Sequence, residues 1–223
     1  MKCFCKDGSP RTRACSDSAK EERRSAILKA AGHLFSIREY REVSIDDVAR
    51  GASLAKGTVY LYFKTKETLF LELCADSFQG WFDALELGFP KQGAGPAALA
   101  SVIASTLGDR PLLLRLIALL HSVFEENVDD SVLRDFKFRM FELLGRPAAR
   151  MEQVLNLKRG QGMRLMLWTH ALMVGLAQMT SRQEISLRLV EKYPELEAMH
   201  LDFGKDFETS LAAMLTGCTA LLA

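Results

Sequence analysis

Between Ser44 and Lys66 the chain reads SIDDVARGASLAKGTVYLYFKTK, and no other segment restricts its possible folds as much. Ser44 is a helix-capping residue, followed by Ile45, Val48 and Ala49 at i, i+3, i+4 spacing on one helical face. Asp47, three residues after Ser44, can reach back as a shortened capping box. Gly51-Ala52-Ser53 interrupts the pattern as a turn, and Leu54 re-enters the core. A second helix then carries Lys56, Gly57, Thr58, Tyr60 and Tyr62 outward while Val59 and Phe63 pack inward. Two short crossed helices, the second bearing small, basic and hydroxyl side chains, are what a reader of the DNA major groove requires.

The charge distribution points the same way. The formal net charge of the 223 residues is only +1. Residues 1–66, however, hold 14 Lys and Arg against 8 Asp and Glu, and residues 67–223 hold 15 against 20. A basic head on an acidic body fits a head that meets phosphate. The five cysteines have no disulfide-framework spacing. Cys3-x-Cys5 is too short for the usual zinc pair, and no Cys or His cluster completes a metal site, so neither a metal nor a cofactor is expected. No secretory segment precedes the head, and the longest apolar runs are broken by Arg115, His121 or His170. A reduced, cytoplasmic protein with no membrane partner is the expectation.

Periodicity predicts an all-α fold: a three-helix, helix-turn-helix DNA-binding domain, then a larger helical effector-binding and dimerisation domain. Residues 1–19 mix Gly, Ser, Pro and basic residues without periodicity and read as a disordered arm, in which Arg11 and Arg13 are candidate minor-groove contacts. The DNA-binding domain is placed at 20–66, with a first helix from about 18 to 37 and reader helices near 45–51 and 55–62. Residues 67–223 form the body. Its first helix, capped by Thr65, joins the halves without a flexible linker, so a shift in the body is expected to move the reader rigidly. GFPKQGAGP at 88–96 is the clearest break. Further helices are expected at about 97–108, 111–127, 130–158, 161–183 and 201–221.

Each candidate residue has a chemical reason. The Lys56 amine can reach guanine O6 and N7, and Gly57 lets the helix approach the groove closely. Thr58 and Tyr60 can bond phosphate, and Tyr62 can meet phosphate or a thymine methyl. Lys66 starts a helix, where a cation and free N–H groups together hold phosphate. Arg24 and Ser44 can clamp the backbone from the first two helices. In the body, Phe78, Trp81, Phe138 and methionines such as Met140, Met163 and Met179 form an apolar store suited to a flat or greasy small molecule. The candidate ligand residues are Phe82, His121, Phe124, Phe141, Trp168 and His170, each histidine able to orient a ligand by one hydrogen bond. Segments 163–180 and 203–222 carry more small and apolar residues than terminal surface helices need.

AKGTVYLYFKTKETLF resembles the recognition-helix segment of TetR-type transcriptional regulators, and RSAILKAAGHLF at 24–35 resembles that family's first helix. The resemblance covers roughly residues 20–72. It implies a ligand-responsive regulator, most simply a repressor, that binds pseudo-palindromic operator DNA as a homodimer through its last two long helices. It also implies phosphate contacts at Ser44, Thr58, Tyr60 and Lys66 and base reading near Lys56, Gly57 and Tyr62. Two positions depart from the pattern, Glu39 and Ser53 standing where the family usually has glycine. A left-handed backbone at either costs about 1 kcal/mol. Ser53 is also a candidate cap for the second reader helix, since Ala55 stands where a serine often caps it. The alternatives are an effector-independent architectural or recruiting DNA-binding protein and an α-helical enzyme using His121 and His170. No HExxH, GxSxG, phosphate-binding glycine loop or Glu-x-x-His pair supports the last.

Overall fold

The computed structural model describes residues 13–181 and 183–222. Among them lie ten α-helices and no strand. The chain divides into two compact units, one ending at Leu73 and the other beginning at Cys74. The expected boundary, after residue 66, falls earlier, at the start of the helix that contains the division.

In the first unit α1 spans Arg13–Ile37. It begins ahead of the expected start, and residues 13–19, assigned above to a disordered arm, are helical. The reason is local, because after Pro10 nothing breaks the chain and Ala14, Ala19, Lys20, Glu21 and Glu22 are strong helix formers. Arg11, Cys3 and Cys5 lie outside the described residues. A short 3-10 turn at Tyr40–Glu42 follows, then α2 at Ile45–Gly51, α3 at Lys56–Tyr62 and the opening of α4, Lys66–Gly88. The unit's core is Ile27, Ala31, Phe35, Val48, Val59, Phe63, Leu69 and Phe70, all nearly inaccessible. Phe35, Tyr40 and Phe70 meet edge to face, with centroids 4.9–6.5 Å apart.

The capping box at Ser44 is formed in both directions: Ser44 Oγ accepts from the Asp47 N–H at 3.1 Å, and Asp47 Oδ2 accepts from the Ser44 N–H at 3.3 Å. Helix α2 ends in a Schellman motif. Ser53 N–H donates to the Arg50 carbonyl at 3.1 Å and Leu54 N–H to the Ala49 carbonyl at 2.9 Å. Ser53 is accordingly left-handed, at φ 56°, and carries the cost of about 1 kcal/mol expected of a non-glycine there. It does not cap α3, whose first turn begins at Ala55 without a side-chain cap. Glu39 is extended, at φ −70°, so the anticipated glycine cost does not arise. The turn does not relax toward Gly51, which stays in α2; the glycine there serves the approach to α1, since a Cβ would stand 3.2 Å from the Ala30 Cβ.

The second unit holds the remainder of α4, α5 (Pro96–Gly108), α6 (Pro111–Leu119), α7 (Asp130–Leu155), α8 (Gln161–Met179), α9 (Gln183–Lys192) and α10 (Phe203–Leu222). Helix α10 packs on α5 and α8, and α8 packs on α6 and α7. Three expectations are corrected. The single helix expected at 111–127 is α-helical only to Leu119; a π-helical turn, Leu120–Phe124, and a 3-10 turn, Glu125–Asn127, complete it. The helix expected to reach 158 stops at Leu155, where Asn156 turns left-handed at φ 53°. Helix α9 and a 3-10 turn at Pro194–Met199 occupy a stretch with no expected element. Its apolar residues Ile185, Leu187 and Leu189 stay 43–46% exposed, so they mark no core stripe.

The α7–α8 crossing leaves no room for a side chain at Gly162. A Cβ on Gly162 would lie 2.0 Å from the Ala148 carbonyl oxygen. Glu152 of α7 reinforces it, its Oε1 accepting from the N–H groups of Gly160 and Gly162 at 2.7 and 3.0 Å at the free amino end of α8. Gly162→Ala forces the helices apart and should lower unfolding free energy by about 1–3 kcal/mol. A urea titration of both proteins by circular dichroism checks this.

Candidate nucleic-acid interface and ligand cavity

Helix α3 is held by Val59 and presents the rest of itself. Lys56 and Gly57 are exposed, Thr58 and Tyr62 half-buried, and Tyr60 and Leu61 are 44% and 85% accessible. A Cβ on Gly57 would meet nothing within 4 Å in the chain. That glycine has no internal packing reason, which leaves room for an approaching surface. Lys56 Nζ pairs with Asp46 of α2 at 2.9 Å, and this bond holds the ammonium above its ordinary range. Ser44 Oγ donates to Asp47 Oδ2 at 2.7 Å. The Ser44 bonds lead the causes that hold the Asp47 carboxyl below its usual range, with Arg50 adding to them.

Arg24 and Lys66 differ from the open clamps anticipated for them. The Arg24 guanidinium pairs with Glu72 and lies 3.6 Å from Glu21. Lys66 donates to the Tyr40 carbonyl and stands 3.9 Å over the Tyr40 ring, where burial holds its ammonium below the usual lysine range. The Tyr40 hydroxyl in turn donates to Glu67 Oε1 at 2.7 Å. Burial first, then Glu67, pushes its ionisation far up. Both cations therefore tie the first unit's helices to one another. Lys64, exposed just after α3, is a cation the sequence reading passed over. Its signal was its place, the first basic residue beyond Tyr62.

In the second unit α4, α7, α8 and the π turn enclose a cavity of about 400 Å³. Phe78, Trp81 and Phe82 line it from α4; Phe136, Met140 and Phe141 from α7; Met163, Met166 and Met173 from α8. Of the six anticipated ligand residues, Phe82, His121, Phe141 and His170 line it together. Phe124 and Trp168 do not. Phe124 is fully buried in the core and Trp168 is 39% exposed, because the widened turn at 120–124 and the 3.6-residue period of α8 aim them away. Phe138 and Met179 are likewise surface residues, 65% and 71% exposed.

Two histidines 49 positions apart meet here, His121 Nε2 lying 3.0 Å from His170 Nε2. Glu125 joins them, its Oε2 3.1 Å from His121 Nδ1 and its Oε1 2.5 Å from Lys137 Nζ. Burial pushes Glu125 up, but hydrogen bonds and charge from His121 and Lys137 outweigh it and leave the carboxyl below its usual range. Burial, then the charges of His121 and Lys137, pushes His170 down to about 4. Glu125, Lys137 and Thr169 were missed in the sequence. Only Glu125 had a signal, standing at i+4 from His121. No group of three or more potential metal ligands occurs among the described residues, and no helix among them is long and apolar enough to cross a membrane.

Residues 27–73 match the family described as bacterial regulatory proteins, tetR family. Residues 75–220 match the tetracyclin repressor-like C-terminal domain. The chain belongs to the TetR family. It is 37% identical over 65 residues to the HTH-type transcriptional regulator EthR of Mycolicibacterium smegmatis, covering 29% of this chain and 30% of that one. The chain thus spans about 30% of the length of the curated relatives it first matches. The fold is shared more widely. The TetR family repressor AlkX from Dietzia sp. superposes over 89% of this chain and 96% of its own with TM-score 0.58 at 12% identity. FadR from Bacillus subtilis, in complex with stearoyl-CoA, does so over 86% and 98% with TM-score 0.51 at 17% identity.

The histidine has a consequence for stability. The unfolded imidazole takes its proton near its ordinary value of 6.5, the folded one only near 4. Unfolding therefore takes up a proton between these values, and stability falls as pH drops from 6.5 toward 4. His170→Gln should flatten that limb, as read from urea midpoints measured across the window.

Proposed function

We propose that this protein is a cytoplasmic, ligand-responsive transcriptional repressor that binds a pseudo-palindromic operator as a homodimer and is released or repositioned by a small apolar or aromatic effector. The observation that carries this reading is the exposed, internally unneeded face of α3, with Lys56 and Gly57 at its start, on a capped two-helix frame. In this reading Lys56, Gly57 and Tyr62 read base edges, and Ser44, Thr58, Tyr60 and Lys64 meet phosphate. Arg24 and Lys66 hold the reader's shape. The cavity supports the effector half and weighs against an effector-free architectural role. EthR and FadR are named as regulators, and FadR's crystal holds an acyl-CoA. An effector shifts the DNA-bound equilibrium only by its differential affinity for the two states, typically about 1–3 kcal/mol. Helix α4, contributing residues to both units, is the proposed lever.

The dimer reading rests on glycines. Gly175 on α8 and Gly217 on α10 are exposed, and a Cβ on either would meet nothing within 4 Å. Each costs its helix about 1 kcal/mol relative to alanine. On α8, Leu167, Trp168, Ala171, Gly175 and Met179 continue one exposed stripe at helical spacing. A second copy laid against that stripe uses the close approach that glycine permits. Gly175→Arg should leave the monomer folded and yield monomers by light scattering, with operator binding lost.

The reader is tested by DNA binding upstream of the protein's own gene over a salt series. Lys56→Ala should erode sequence preference by about 1–3 kcal/mol, while Lys64→Ala should weaken all sequences alike and reduce the salt slope by about 1. Salt-independent binding, or no preference among sequences by the folded dimer, would overturn the reading.

A further inference from the structure

The cavity is apolar except at one end, where side chains from three elements converge. His121 and Glu125 come from the π turn and its 3-10 continuation, Lys137 from α7 and His170 from α8, where Thr169 precedes it in the cavity lining. Their hydrogen bonds are unevenly spent. Glu125, the one acceptor-only group, is occupied at both oxygens, by Lys137 at 2.5 Å and His121 at 3.1 Å. With the His121 Nδ1–H given to Glu125, one proton is shared between the facing Nε2 atoms, 3.0 Å apart. Lys137 keeps two further N–H donors.

Thr169 supplies a second, independent observation. It is 1% exposed and lines the cavity, yet its hydroxyl has no hydrogen-bond partner. Helical threonines ordinarily return the hydroxyl to the carbonyl four residues back, as Thr180 and Thr216 do here at 2.8 Å. A buried hydroxyl left open costs stability, and native proteins keep few of them. The open donors at this end are the Thr169 hydroxyl and the two remaining Lys137 N–H groups, and a molecule that brings acceptors satisfies them.

Building on the effector reading of this cavity, we propose that its ligand is a monocarboxylic acid with an aliphatic or aromatic body. Its carboxylate parts the His121–His170 contact, whose Nε2 atoms stand 3.0 Å apart, and takes a hydrogen bond from each ring. It also accepts the Thr169 hydroxyl, which turns to it from a fully buried position. For both Nε2 atoms to donate, the pair must hold one proton more than it does alone. Glu125 already accepts the His121 Nδ1–H, and the ligand carboxylate balances the proton the pair gains, so the occupied site carries no net charge. The charged and titratable groups acting on His170 are His121, Lys137 and Glu125; from α4 the Phe78 ring stands 5.8 Å away, and the buried Cys74 thiol, pushed up by burial and then by the Glu125 charge, adjoins the same cluster. An alkylamine would set its charge against Lys137 and the imidazoles, and an alcohol would use only part of the donor set.

The test is calorimetry on the full chain with decanoate, decanol and decylamine, and with naphthoate and naphthol, followed in parallel by fluorescence of Trp81. Either acid should bind at least tenfold more tightly than its alcohol or amine. Binding should take up close to one proton, read from buffers of different ionisation heat. Thr169→Val should weaken the acid severalfold while raising the melting temperature of the ligand-free protein, an outcome a merely structural threonine would not give. His121→Phe should remove the acid preference and leave decanol binding in place. Equal or tighter binding of alcohol or amine, binding without proton uptake, or no binding of either acid overturns the assignment. The effector reading fails separately. If an acid binds as described and operator affinity is unchanged, the head-group assignment holds and the cavity does not govern DNA. If decanol alone binds and releases DNA, the reverse is true.

Discussion

The second unit depends on one close approach, Gly162 of α8 against the Ala148 carbonyl of α7. With no side chain between them the two helices come near enough for Glu152 to hold the amino end of α8. The cavity is the space that opens beyond this contact, where Phe136, Phe141, Met166 and Met173 face it. Close-packed interiors deform little, so a crossing set at one point determines the room available further along.

Within that apolar wall the polar cluster is an expense the fold carries. The His170 imidazole, the Glu125 carboxylate and the unpartnered Thr169 hydroxyl would each be replaced by carbon if the only requirement were a packed core, whereas His121 keeps 42% of its side chain in solvent. The cluster is assembled where the helix departs from α geometry. The π turn at 120–124 widens the backbone by one residue, and such turns gather at functional positions. In the α-helix that periodicity predicted, His121 and Phe124 would present a different relation to the cavity. The bulge gives the histidine to the cavity and the phenylalanine to the core.

The helix-turn-helix was legible because its signals are local. A capping serine with an aspartate three residues on, an apolar i, i+3, i+4 face and a glycine-containing turn act within a few residues of one another, and α2 and α3 stand where the pattern put them. The costs were less legible. Ser53 and Glu39 both stand at positions where glycine was expected, yet only Ser53 is left-handed, because only there does the Schellman geometry require it. Arg24 and Lys66 read as free cations because their partners, Glu72 and Tyr40, are distant or off the helical period. In the body, aromatic and methionine content marked which helices store apolar surface but not which side chains face inward. Trp168 and Phe124 were aimed wrongly for that reason, and Thr169 gave no signal, since a threonine in an apolar helix reads as ordinary until its missing bond is seen.

The sequence by itself determined the all-α class, the helix-turn-helix and its outward residues, the basic head and acidic body, and the family. The first three follow from periodicity, capping and charge, which act within a few turns of chain, and the family from the resemblance carried by two short segments, 24–35 and 55–70. Tertiary structure alone decided the crossing at Gly162, the meeting of His121 with His170, the open hydroxyl of Thr169 and the internal employment of Arg24 and Lys66. Each joins residues separated by many turns, and the free energy of such a contact resides in a distance and an orientation that no local pattern encodes.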